Sequence, residues 1–451
     1  MPSKPQEEGD IVTKQIIANG PLTDGDIFYP CGAILIEDRK IMEVGSCETL
    51  RRKWPDTPVV DVEGRLIIPG LTNFHHHLYS SLATGLTPRG ETISFSDILK
   101  NLWWPLDFLL DEESIYFSAL YGIIRSVQCG VTSIFDHHAS LGSDKGSLEL
   151  IAHAFKEVGI RGVLCFEVSD RAGEEKVNEQ IEENIRFWQE HQRDAFIHGM
   201  LGLHANFTLS EKTLYKIREL KPKNLPIHIH CGEGEDDLIY CQKLGYKGPV
   251  HRLDSFGLLN KDSFLIHCIH LSEKDYKILS NKSPWVVTNP ESNANNRVGQ
   301  MDRQKITKFV IGTDGMSSDI IASLRNYAIT SKEFPEPFER LERTFWGWPR
   351  LIRRNTWGFQ GIFAFGEPAD ITVLDYKPVT PIHESNIMGH LIFGARQGNA
   401  FLTMCNGKII WQNGSFVSLH EEAVFHDIRR VAGKLHKRFS SGKKEGFPWS
   451  D

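Results

Sequence analysis

The first 65 residues alternate short apolar runs with polar breaks. Residues 33–36 are apolar, 37–40 polar and 41–44 mostly apolar again, a pattern that predicts a β-hairpin. The same texture returns near the end: 371–374 reads as a strand, and 404–410 carries an Asn406-Gly407 turn. Chain ends often lie close in space, so 1–65 and 362–451 are expected to build one small β-sandwich domain around the middle of the chain. Residues 419–439 predict a charged surface helix whose apolar stripe is Val424, Ile428, Val431 and Leu435.

The middle, 66–361, reads differently. Apolar runs at 66–74, 131–135, 162–166, 200–204, 225–230, 263–267, 285–288 and 309–312 alternate with stretches of helical periodicity such as 147–158 and 177–192. Repeated strand–helix alternation predicts an α/β fold of parallel βα units. Eight such runs favour a distorted (β/α)8 TIM-type barrel, with an open doubly wound sheet as the alternative.

Polar residues gather at the C-terminal ends of these runs. The first ends in His75-His76-His77, the second in Asp136-His137-His138 and the fourth at His204. The fifth ends at His230 with Glu233 behind it, the sixth at His267 and the eighth at Asp314. In a barrel those ends open onto one face, where the chemistry of such folds sits. Side chains i and i+2 of a strand point the same way, so His75 and His77 can share one metal while His76 points into the wall. His230 offers a further nitrogen, Asp314 a hard oxygen, and His267 either another ligand or a supporting group. This donor set suits zinc first and ferrous iron second, at an open catalytic position.

Composition narrows the partners. The chain has 451 residues, 24% charged, with a formal net charge of −7, which gives no sign of a nucleic-acid or membrane surface. No run of 18 apolar residues is present, and the polar start MPSKPQEEGD does not resemble a secretory signal. Cys129, Cys165, Cys231 and Cys268 sit in or beside apolar runs and read as buried free thiols of a reducing compartment, the cytoplasm. No phosphate loop or dinucleotide fingerprint occurs.

Five ordered motifs resemble the metal-dependent amidohydrolase superfamily: PGLTNFHHH at 69–77, HIHCGE at 228–233, IHCIHL at 266–271, NPESN at 289–293 and GTDG at 312–315. FDHHAS at 135–140 and FEVSDR at 166–171 are similar to the SsnA-type members of its aminohydrolase and chlorohydrolase branch. The resemblance implies a barrel with one divalent metal held by His75, His77, His230 and Asp314. It implies Glu233 as the acid, with His267 and Asp314 completing the catalytic set. Binuclear relatives carry a bridging carbamylated lysine at the fourth strand. Here that strand end reads Leu203-His204-Ala205-Asn206-Phe207, so one metal is expected, with Glu167 as a bridge only if the strand count were different.

The implied reaction is hydrolytic deamination of an amino-substituted, purine-like nitrogen heterocycle. Water activated by the metal attacks, Glu233 protonates a ring nitrogen, and ammonia leaves. Loss of chloride and opening of a cyclic amide are the alternatives on the same scaffold, and a non-catalytic binding protein is the remote one. Substrate contacts are expected from His138, Arg171, His204 and Trp104. Two of Asp136, His137 and His138 are expected to line the pocket, and Trp103, Trp104 and Phe108 either to cover it or to pack elsewhere. Glu291 and the Met316-Ser317-Ser318-Asp319 run depart from the family pattern, so no particular base is assigned. A homodimer is the oligomer that the resemblance suggests.

Overall fold

Each apolar run of the middle segment forms a strand in the computed structural model, which describes residues 14–330, 338–395 and 399–442. The N-terminal stretch read above for a secretory signal lies outside the described residues. The strands are Leu71–His76, Val131–His138, Arg161–Phe166, a fourth in two pieces (Ile197–Gly199 and Leu201–Ala205), Ile227–Cys231, Phe264–His267, Trp285–Thr288 and Phe309–Ile311. All pair in parallel with their sequence neighbours. The third and fourth join through Met200 N–H to Leu164 O and a Val168–Leu203 bridge. The ring closes where the Thr313 and Asp314 amides both donate to His75 O at 3.0 Å.

The helices match their periodic stretches. Ser147–Val158 has the predicted bounds and stops at Gly159, whose φ of 89° is the left-handed conformation that ends helices at glycine. Residues 177–192 fall mostly in the helix Glu174–Glu190. Helix Glu421–Ser441 buries Ile428, Val431 and Leu435 of the predicted stripe and adds Phe439, while Val424 is half-buried.

The run 66–74 serves two sheets. Ile67–Pro69 pairs with Gln15–Thr23 and Ile371–Leu374 in a nine-stranded sheet built from both ends of the chain. Gly70 then turns the backbone into the first barrel strand, its amide donating to Asp370 O. The predicted hairpin is the antiparallel pair Phe28–Glu37 and Lys40–Ser46, and the Asn406-Gly407 turn joins Ala400–Cys405 to Lys408–Gln412. Both ends of this sheet share one apolar cluster that includes Ile17, Ile34, Ile371, Leu402 and Met404.

Along the barrel axis lies an apolar floor of Phe74, Phe135, Phe264, Ile266 and Val287, with Phe135 and Phe264 stacked at 4.9 Å. A register shift in the first strand between Asn73 and His76 breaks strict alternation. Phe74 therefore joins the floor while the adjacent His75 still reaches the layer above it. Cys231 and Cys268 are fully buried in the layer between barrel and helices, as expected of packing residues. No helix among the described residues is long and apolar enough to cross a membrane.

Candidate active site

The strand ends bring His75, His77, His230, His267 and Asp314 together. One coordinating atom each from His75, His77 and His230 fall within 4.8 Å of one another, and the same holds for His75, His267 and Asp314. Asp314 Oδ1 lies 3.1 Å from His77 Nε2 and 3.6 Å from His75 Nε2, while Oδ2 lies 3.6 Å from His267 Nε2.

The far nitrogens fix how these rings present themselves. His77 Nδ1 donates to His137 O at 2.6 Å and His230 Nδ1 to His204 O at 2.9 Å. His267 Nδ1 donates to Asn293 Oδ1 at 2.7 Å, and His75 Nδ1 pairs with His228 Nε2 at 2.9 Å. A ring whose Nδ1 carries the proton leaves Nε2 free to coordinate. Nε2 of His75 and of His267 are buried without a hydrogen-bond partner, the condition expected of nitrogens shaped for a cation. Burial holds His75 and His230 well below the usual imidazole range, so both are neutral donors. Burial also opposes charge on His77, but the Asp314 carboxylate outweighs it and pushes the ring up to about 9. Asp314, despite its burial, is held well below the carboxylate range by His75 and His77. The cluster therefore favours positive charge between these imidazoles and Asp314, and its donor set fits a divalent metal.

His267 and Asp314 share another feature. Their φ angles of 70° and 57° lie in the left-handed region, which non-glycine residues rarely enter. Such backbone strain persists where surrounding structure enforces it, commonly at functional sites. Gly312, two residues before Asp314, has no room for a side chain: a Cβ there would sit 2.8 Å from His75 Cβ and 2.5 Å from Asn289 Oδ1.

Glu233 faces the same cluster. Its Oε2 lies 3.3 Å from His267 Nε2, and Oε1 accepts from Asn296 Nδ2 at 3.3 Å. Burial pushes its carboxyl up to about 7, so a protonated form is accessible at neutral pH. These groups open onto a cavity of about 790 Å³, counting its mouth to solvent. Phe95, Leu99, Trp103 and Trp104 form one wall, and Glu233, Asn296 and Asp314 lie on its polar side. The aromatic wall is a helical segment started by a capping box at Ser94 and Asp97, with a wider turn across Leu99–Trp103.

The remaining expected contacts divide. His204 lines the cavity and hydrogen-bonds Thr208 Oγ1 at 2.8 Å through Nδ1; Trp104 lines it as well. Phe108 packs against the hydrophobic core instead. Arg171 is buried behind the wall, bonded to Asp107 Oδ2 at 2.7 Å and to Glu167. His138 is buried against Ser140, Tyr79 and Phe166 and is not among the lining residues. Asp136 accepts from the Leu78 amide at 2.8 Å. His137 points to the axis, with Nδ1 3.5 Å from Glu167 Oε2 and its ring 4.7 Å from that of His230. None of these three lines the cavity, because alternation sends Asp136 and His138 outward and His137 beneath the site. His76 turns away from the cluster, as expected, to Ser318 Oγ at 2.7 Å. Glu167 follows the third strand and His204 lies one residue before the end of the fourth, so the expected strand count holds.

Several site residues carried no signal in the sequence. Asp107 sits in the aromatic segment, 64 positions from the arginine it binds. Asn296 and Asp237 line the cavity from a short helix and a helix start that follow their strands. His228 could have been found, since it lies two positions before His230 and therefore on the same strand face.

Comparison with known proteins agrees with this geometry. The chain is 30% identical over 415 residues to the 5-methylthioadenosine/S-adenosylhomocysteine deaminase of Thermococcus sibiricus, covering 88% of this chain and 93% of that one. It is 28% identical over 446 residues to the 5'-deoxyadenosine deaminase of Methanobrevibacter smithii, covering 95% and 98%. Its fold matches a zinc-bound adenosine deaminase from Xanthomonas campestris with a TM-score of 0.80 at 19% identity, covering 94% of this chain and 99% of that one. The E. coli guanine deaminase matches at 0.72 and 18%, covering 89% and 99%. The model of the amidohydrolase family matches residues 66–340, and the chain belongs to that family.

Proposed function

We propose that the protein is a metal-dependent hydrolytic deaminase acting on an amino-substituted, purine-like heterocycle. The observation that carries this reading is that Glu233 and Asp314, which both line one cavity, reach the same atom, His267 Nε2, at 3.3 and 3.6 Å. Relatives named as deaminases of adenosine-type nucleosides, matched over nearly their whole length, support the same reaction. His75, His77, His230 and Asp314 are the residues that would hold the metal, with zinc preferred for its three imidazoles and one carboxylate. A bound divalent ion would lower the pKa of its water toward ~7 and polarise the carbon under attack.

The chain's own groups supply the proton transfers. Asp314 Oδ2, turned toward His267, takes the proton of the attacking water. His267 Nε2, aimed by Asn293, hydrogen-bonds the oxygen that adds to the ring carbon. Glu233 enters protonated and donates to the adjacent ring nitrogen; its carboxylate then takes the proton of the new hydroxyl while Asp314 passes the water's proton to the departing amine, leaving the keto product and ammonia. Each transfer of this kind is worth ~10²–10⁴ in rate. Trp103, Trp104 and Phe95 offer apolar faces for a flat ring and exclude water from it. Seven of the eight cysteines are buried, which fits a reducing setting such as the cytoplasm.

The test is product analysis with zinc-loaded protein and a panel of neutral 6-aminopurine nucleosides. Ammonia and the keto product, formed together, support the reading. Chloride from a chlorinated ring, or a new carboxylate from a cyclic amide, with no ammonia from any aminopurine, would replace it.

A further inference from the structure

We infer that this cavity selects uncharged or cationic substrates and rejects those bearing a carboxylate or phosphate, an inference that rests on the deaminase reading above. The wall carries five carboxyl side chains, Asp107, Glu167, Glu233, Asp237 and Asp314. Among the described residues that line it, none is lysine or arginine. Wherever a substituent on the heterocycle falls, it meets carboxyl, amide, hydroxyl, imidazole or aromatic groups, and no fixed cation.

The guanidinium groups behind the wall are already committed: Arg252, behind Asp237, donates to the carbonyls of Asn206 and Leu209. Arg171 lies with its charge 5.5 Å from the Trp104 ring and is bonded to Asp107, Glu167 and the Ser169 hydroxyl. Two carboxyl groups share this single cation, so it has no charge left over for a substrate anion. Turning Arg171 toward a substrate anion would strand Asp107 and Glu167, each at most 2% exposed, without a counter-charge. Arg297, next in sequence to Asn296, is exposed and outside the lining.

The histidines do not fill the gap. His204 Nδ1 is tied to Thr208 Oγ1 at 2.8 Å, and His77 and His230 belong to the metal cluster. A divalent ion held by Asp314 would sit at the reacting carbon, away from a substituent elsewhere on the ring. The five carboxyl groups supply no positive charge in either protonation state. A cleft lined by one sign of charge concentrates ligands of the other sign and repels its own. The relative named for both 5-methylthioadenosine and S-adenosylhomocysteine is named for one uncharged nucleoside and one whose tail carries a carboxylate beside an ammonium. The cavity here is built for the first kind.

The experiment uses two substrates of the same shape, adenosine-5'-carboxamide and adenosine-5'-carboxylic acid, with the zinc-loaded full-length protein. The amide is expected to have a kcat/KM larger by about tenfold or more, with the ratio falling as salt screens the wall. Asp107→Asn removes one wall charge and frees part of the Arg171 guanidinium, so it should narrow the ratio by raising the acid. Equal turnover, or preference for the acid, overturns the inference. If neither compound nor any neutral aminopurine releases ammonia, the deaminase reading fails separately. Calorimetric titration of the same pair then decides: tighter binding of the amide upholds the charge selection, and equal, reversed or absent binding ends it.

Discussion

Glu233 and His267 face each other at 3.3 Å, yet each is anchored from behind by the same short helix, Glu233 by Asn296 and His267 by Asn293. The acid and the imidazole are thus set by one element, Pro290–Asn295 and its cap, which follows the seventh strand. This arrangement makes Glu233 the group whose loss should hurt chemistry without disturbing metal. Glu233→Gln is expected to lower kcat by ~10²–10⁴ while metal content stays at the wild-type level.

The same carboxyl sets a pH limb. Glu233 must be protonated to donate, and burial pushes it up to about 7. The active form is therefore present below that value and lost above it, so kcat/KM should fall as pH rises through the neutral range. In Glu233→Gln the residual activity should lack that alkaline limb. An identical limb in the variant would assign the titration to another group.

The metal cluster should show itself in stability as well as rate. A ligand that binds only the folded state raises its stability by about 2.7 kcal/mol at a hundredfold excess over Kd. Chelation is expected to lower Tm and abolish activity, and zinc to restore both. His230→Ala should have a Tm that neither chelator nor zinc moves.

Gly312 is a packing requirement of the same cluster. A methyl group there meets His75 Cβ and backbone O at 2.8 Å, and neither is the end of a flexible chain. Gly312→Ala is expected to cost about 1–3 kcal/mol through overpacking and to reduce bound metal by displacing His75. Denaturant unfolding and elemental analysis of the variant check the two effects together.

Behind the aromatic wall, Arg171 holds two buried carboxylates. Arg171→Met would leave Asp107 and Glu167 unpaired, at a cost of about 3–5 kcal/mol. Adding Asp107→Asn should recover part of that loss, which urea unfolding of the double variant would measure.

Much of this was legible in the sequence because it is local. Strand ends carrying His75, His77, His230, His267 and Asp314 follow from runs of apolar residues with polar tips, and a barrel brings such tips together. What failed to show was parity and distance in sequence. The pattern Asp136-His137-His138 states that two side chains share a face but not which face is the axis; the structure gives the axis to His137 alone. The register shift near His75 lets Phe74 and His75 both serve the interior, which strict alternation forbids. Arg171 read as a substrate contact because Asp107, its partner in a segment far upstream, has no periodic signature. The run 66–74 read as one strand because Gly70, where it passes from one sheet to the other, interrupts no apolar pattern.

Metal content per chain, by elemental analysis of protein purified without added metal or chelator and then reloaded with zinc, addresses the central claim most directly. The account predicts about one equivalent per chain, lost in His230→Ala, as befits a catalytic site with an open position. About two equivalents would contradict it and assign a second ion to the neighbouring group of His137, Glu167 and His230. No uptake even with zinc supplied would remove the metal-dependent mechanism altogether.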